Sequence, residues 1–81
     1  MTIADPTPDD LVTLIRTNVE ELSHVDSADK TFDDLDLDSL SMVEIATIVG
    51  QTYGVPLGEE EVVDAGDFTA LSELVRGRVS A

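Results

Sequence analysis

The sequence has no cysteine and no tryptophan, a single tyrosine, two phenylalanines and only four basic residues. Without cysteine there is no disulfide, no thiolate metal site and no cysteine nucleophile, so any thiol chemistry has to be imported. The redox compartment is left open by the same absence. No window approaches the length and hydrophobicity of a membrane span. The opening stretch MTIADPTPDD has neither a basic segment nor an apolar run, so no secretory signal is visible and the cytoplasm is the expected location. The cations are Arg16, Lys30, Arg76 and Arg78, which leaves residues 31–75 without any Lys or Arg.

Acid fills the space that base leaves. Eighteen Asp and Glu give the 81-residue chain a formal charge of −14, yet 42% of its residues are apolar. That apolar content is too high for an acidic disordered tail. The length fits a single domain over residues 1–81 with one modest core and no room for a separate catalytic domain, so catalysis by the polypeptide is not expected. Such a charge repels nucleic-acid phosphates and anionic leaflets, and basic protein surfaces are the expected partners. A monomer is expected.

Helical periodicity dominates. Thr7, Pro8 and Asp10 read as an N-cap, a first helical residue and a capping-box acid. Leu11, Leu14, Ile15, Val19 and Leu22 then form one apolar stripe that ends where residues 23–29 turn polar. Phe32, Leu35 and Leu37 alternate with aspartates too briefly for a strand and read as an anchored loop. A second helix opens at Ser39, is apolar around most of its girth and stops at Gly54 and Pro56. Part of that surface is a candidate docking site. Glu59, Glu60 and Glu61 open a short third helix, and Asp67 caps a fourth whose inner face is Phe68, Leu71, Leu74, Val75 and Val79. The expected fold is all-α, a small antiparallel four-helix bundle with a short third helix.

Eleven carboxylates stand between residues 31 and 75 with no local cation to neutralise them. A solvated face kept for solubility would look the same. The sharper feature is Asp38-Ser39-Leu40, at the junction between the acidic loop and the second helix. A helix N-terminus offers free N–H groups and the positive end of the dipole, which favour a phosphate there, and the Ser39 hydroxyl is placed to bear one. The alternative is that Ser39 merely caps the helix.

The segment from Phe32 to Ile45, FDDLDLDSLSMVEI, resembles the prosthetic-group attachment region of acyl carrier proteins, and the likeness extends over nearly the whole chain. It is most like that of actinobacterial carriers. The resemblance implies that a phosphopantetheinyl transferase moves 4'-phosphopantetheine from coenzyme A onto Ser39 in a Mg²⁺-dependent reaction. The arm then holds acyl groups as thioesters for fatty-acid or polyketide biosynthesis. It also implies that Asp38 presents the site and that Leu40 is an apolar contact beside it. Asp36, Leu40, Met42, Glu44, Glu59 and Glu60 would meet partners such as acyltransferases and ketosynthases, Met42 and Glu44 from the exposed side of the second helix. Val43, Ile45, Ala46, Ile48, Val62, Phe68 and Leu71 are the candidate lining of a pocket for the acyl chain. Asp36 stands where such carriers often have Gly, and Ser41, Gly50 and Gln51 stand where fatty-acid carriers often place acids.

Three other functions use some of the same residues. A calcium loop opening at Asp34 fails in register, because Ser39 takes the position that needs Gly and Ile45 the position that needs Glu, so no metal site is expected. A serine hydrolase lacks the Gly-x-Ser-x-Gly elbow. Its only histidine would be His24, which is expected at or near the C-terminal end of the first helix. An acidic domain that binds or inhibits a basic protein would need the charge but not Ser39.

Overall fold

The computed structural model describes residues 6–79; the start of the chain, searched above for a leader, lies outside them. Four helices follow in order: α1 (Pro8–Asn18), α2 (Ser39–Tyr53), α3 (Glu59–Ala65) and α4 (Phe68–Val79). A single 3₁₀ turn, Glu20–Leu22, follows α1. Among the described residues, none belongs to a multi-residue strand and no helix is long and apolar enough to cross a membrane. The expected all-helical bundle is what forms.

Local chemistry explains the helix ends. The Asp10 N–H donates to the Thr7 hydroxyl and the Thr7 N–H donates back to the Asp10 carboxylate, each at 3.1 Å, a reciprocal cap with Pro8 as the first helical residue. α1 stops at Asn18, one turn before its apolar stripe runs out. Val19 is extended there, its N–H still donates to the Ile15 carbonyl at 2.9 Å, and the Asn18 side chain adds a bond to the Leu14 carbonyl at 2.8 Å. The stripe stays buried across the break, because Val19, Leu22 and Val25 still turn inward. α2 ends at Gly54, whose φ of +67° is a left-handed conformation that glycine adopts without steric cost. The Asp67 carboxylate accepts the Ala70 N–H at 2.8 Å and so caps α4 as expected.

The core joins every element. Leu11 and Ile15 of α1, Ile45 and Val49 of α2, Val62 of α3, and Phe68, Leu71 and Val75 of α4 are fully enclosed. Leu14, Leu74 and Val79, expected on inner faces, are only partly buried at the margin. α1 packs against α2 and α4, and α3 bridges α2 and α4. Phe32 and Leu35 reach into this core from the long loop between α1 and α2, which confirms its reading as an anchored loop. A lone antiparallel bridge between Thr31 and Asp67 ties the loop to the start of α4.

Candidate functional site

The loop before α2 is wound tightly on its own backbone. Leu35 N–H donates to Thr31 O, Asp36 N–H to Asp33 O and Leu37 N–H to Phe32 O, all within 3.0–3.1 Å. The Asp34 N–H donates to the Thr31 hydroxyl at 3.0 Å. Buried Phe32 and Leu35 fix the inner side, so the aspartates are left facing water. Asp36 has a φ of +59°, the left-handed region, and its side chain is exposed. His24 Nε2 lies 3.1 Å from the Leu35 carbonyl oxygen. It braces this loop from beyond the 3₁₀ turn rather than sitting at the end of α1, because the helix stops at Asn18.

The loop delivers the chain to α2 with Asp38, not Ser39, in the capping position. One Asp38 carboxylate oxygen accepts both the Ser41 N–H at 2.9 Å and the Ser41 hydroxyl at 3.0 Å. These bonds, the Ser41 N–H first, hold the Asp38 carboxyl below the usual carboxylate range. Ser41, the neighbouring hydroxyl, is therefore engaged. Ser39 occupies the first helical position with its side chain exposed and takes no part in the cap. The idea that Ser39 serves only as an N-cap fails for that reason: the neighbouring aspartate already does that work. Ser39 thus stands at the positive end of a 15-residue helix.

Around this point the expected contact residues divide. Leu40 is 58% exposed and Val43, one turn on, is 41% exposed, which gives α2 an outward apolar pair beside Ser39. Asp36, Glu59 and Glu60 are exposed and Glu44 is half-buried. Met42 does not belong with them: at 6% exposure it is a core residue. Met42, Ile45, Ala46 and Val49 recur at helical spacing and form the inward stripe of α2, so Met42 cannot also face a partner. The same geometry removes Val43 from the candidate pocket, because it points outward. Ile45, Ala46, Val62, Phe68 and Leu71 come together in the core cluster. Ile48 sits at the edge, on a surface depression lined with Asn18, Val19, Glu20, Glu21 and Glu44 where α1 ends against α2.

The acidic region is not wholly uncompensated either. Glu61 pairs with Arg78 across 17 residues of sequence, a partnership that local charge counting could not find. Lys30 and Asp26 form a second, looser pair at 3.9 Å. Among the described residues no group of three or more Asp, Glu, His or Cys is arranged to hold a metal ion.

Comparison with known proteins agrees with this arrangement. A family model described as a phosphopantetheine attachment site matches residues 9–75. The acyl carrier protein of Rhodococcus erythropolis is 38% identical over 72 residues, an alignment that covers 79% of each chain. The meromycolate extension acyl carrier protein of Mycobacterium tuberculosis is 38% identical over 72 residues, covering 79% of this chain and 63% of that one. The anthracycline acyl carrier protein of Streptomyces peucetius is 40% identical over 63 residues, covering 78% of this chain and 73% of that one. The chain thus spans less than two thirds of the mycobacterial relative's length. No solved structure matches the chain.

Proposed function

The chain belongs to the acyl carrier protein family, and from that premise we propose that Ser39 is the residue to which 4'-phosphopantetheine is attached. One observation carries the assignment. Of the two serines at the start of α2, Ser41 has its hydroxyl bound to Asp38 while Ser39 is exposed and outside the cap. The residues present fit the group. A phosphodiester on the Ser39 oxygen would lie at the positive end of α2, near the Ser39 and Leu40 N–H groups that precede the helical ladder.

When attached, the arm supplies a terminal thiol to which acyl groups are bound as thioesters, so the hard chemistry belongs to the cofactor. The chain's own residues present and steer. Asp38 sets the helix start that leaves Ser39 outward. Leu40 and Val43 offer apolar contact to an enzyme docked over the site, and Asp36, Glu44, Glu59 and Glu60 attract basic surfaces. Such steering gives fast, salt-sensitive encounters, which suit a carrier that must leave each partner quickly. The proposed partners are a phosphopantetheinyl transferase and the acyltransferases and ketosynthases of fatty-acid or polyketide assembly. Named relatives from mycolate and anthracycline carriers support both kinds of pathway.

Intact-mass measurement after incubation with coenzyme A, Mg²⁺ and a promiscuous transferase tests the assignment. The wild type and Ser41→Ala should each gain one phosphopantetheine, and Ser39→Ala none. A gain that survives Ser39→Ala would move the attachment elsewhere. No gain in the wild type would favour the acidic binding domain instead.

A further inference from the structure

Asp38 has a choice of partner. A carboxylate in the capping position can accept the backbone N–H of the second or the third helical residue, here Leu40 or Ser41. It takes the third: Oδ1 accepts the Ser41 N–H at 2.9 Å and the Ser41 hydroxyl at 3.0 Å. Among the groups that hold the carboxyl below its ordinary value, the Ser41 N–H stands first, the Ser41 hydroxyl second and the Leu40 N–H last. Leu40 is thus the alternative that the carboxylate declines.

The backbone alone gives little reason for that preference. Both N–H groups belong to the first turn, where no helical carbonyl claims them, and Asp38 is exposed, so its side chain can turn between them at small cost. The Ser41 hydroxyl breaks the tie, because it adds a second donor to the same carboxylate oxygen. One extra hydrogen bond weights the two positions by about three- to tenfold. Residue type decides the outcome: an alanine at 41 would donate nothing from its side chain, and an ionised acid there would repel Asp38.

The N–H left open is one that the site needs. A phosphodiester on the Ser39 oxygen has the Ser39 and Leu40 N–H groups as its nearest backbone donors, and a carboxylate swung onto Leu40 would put a competing negative charge on one of them. We propose that Ser41 is a positioning residue for the loading of Ser39: its hydroxyl holds the Asp38 carboxylate on the third helical N–H and so keeps the Leu40 N–H open to the incoming phosphate. Ser41 acts only through Asp38. The use of the open N–H rests on the carrier reading above; the hold on Asp38 does not.

Ser41→Ala and Ser41→Thr test this by two measurements. The first is made on the unmodified chain: amide proton shifts are followed by NMR as pH carries Asp38 through its titration. In the wild type the amide at 41 should move strongly and that of Leu40 little. In Ser41→Ala the carboxylate is shared, so the Leu40 excursion should grow about twofold or more, whereas Ser41→Thr, which keeps the hydroxyl, should retain the wild-type pattern. The second is the initial rate of loading from coenzyme A by a purified transferase with Mg²⁺, read by intact mass. Ser41→Ala should reach the same final mass, but its kcat should fall about three- to tenfold with KM little changed, and Ser41→Thr should restore it. A wild-type Leu40 excursion in Ser41→Ala overturns the hold on Asp38. A wild-type kcat in Ser41→Ala, or a slow Ser41→Thr, overturns the role in loading. Failure of the wild type to load at all would instead sink the carrier reading and the use of the open N–H with it, while the titration would still decide the hold.

Discussion

Phe32 meets Phe68 edge to face, with ring centroids 5.0 Å apart and ring planes at 83°. The same residue donates its N–H to the Gly66 carbonyl, so one ring and one amide bolt the loop leading to Ser39 onto the corner between α3 and α4. Both rings are buried, and Phe32→Ala should cost about 3–5 kcal/mol in a urea melt. That is a large share of the stability of so small a domain. Phe32→Leu keeps more of the apolar volume; it should stay folded while transferase loading slows, because the loop is held less firmly. An unchanged midpoint for Phe32→Ala would show that the ring is not an anchor.

Asp36 is the one non-glycine residue with positive φ among those described, at +59°. An L-residue there pays roughly 1–2 kcal/mol, less for Asp and Asn, whose short side chains tolerate the left-handed region. Asp36→Val should therefore lose stability by that order. Asp36→Gly should gain under about 1 kcal/mol, since glycine's freedom in the unfolded chain offsets part of the relief. Asp36→Asn separates the backbone effect from the loss of one negative charge. A lower melting point for Asp36→Gly than for Asp36→Asn would contradict the strain argument.

The sequence and the structure agree where a local rule governs. Thr7, Pro8 and Asp10 announce the start of α1, Gly54 the end of α2, and Asp67 the start of α4, because capping depends on residues within one turn. Agreement fails where a choice depends on distant chain. α2 is apolar on most sides, so composition could not say that Met42 turns in and Val43 turns out; only the spacing of Met42, Ile45, Ala46 and Val49 carries that signal. Glu61 looked unpaired because its cation lies 17 residues away. The sequence puts His24 at or near the end of α1, but α1 stops at Asn18 and the ring braces Leu35 instead. The start of α2 at Asp38-Ser39 is legible because it is a local motif. Which of the two residues caps the helix is not, since either side chain can do so.

Gly50 and Gly77 both lie inside helices, yet their replacement by Ala should have different outcomes. A β-carbon at Gly77 would meet nothing within 4 Å, whereas one at Gly50 would come 3.0 Å from the Val55 carbonyl oxygen. That carbonyl belongs to a backbone turn held by the Val55 N–H on Gly50 O at 3.0 Å, so it cannot retreat freely. Gly77→Ala should gain up to about 1 kcal/mol from helix propensity. Gly50→Ala should gain less or lose stability, and its thermal midpoint should lie below that of Gly77→Ala. The contact also accounts for the absence of an acid at position 50. The reverse order of midpoints would remove that explanation.

The Asp38 carboxyl titrates below its ordinary value because the charged form holds the Ser41 N–H and hydroxyl. Its folded pKa is depressed, so its contribution to stability is complete above the ordinary value of 3.8 and is lost as pH falls through the lower folded value. The Ser41 amide proton reports this directly. Its NMR shift should titrate with a midpoint under 3.8, and a midpoint at or above that value would mean that the cap is not formed in solution. Asp38→Asn should retain part of the cap and melt above Asp38→Ala.

Glu61 supplies the clearest acid-dependent term. The hydrogen bonds from Arg78, and then from the Gly58 N–H, draw its carboxyl from 4.5 to about 2. A carboxyl depressed in the fold stabilises fully above its unfolded value, and that contribution drains away as pH falls from about 4.5 toward about 2. Over the same range, protonation of the other carboxylates relieves the repulsion that comes with a formal charge of −14, so the bare melting curve mixes two opposite trends. The difference between wild type and Arg78→Met isolates one of them. It should stay level from neutral pH down to about 4.5 and then shrink, as pH approaches 2, toward the part that the Arg78 bond to the Pro56 carbonyl and packing supply. A difference undiminished at pH 2 would mean that Arg78 acts through the Pro56 carbonyl and packing alone, with the Glu61 charge irrelevant.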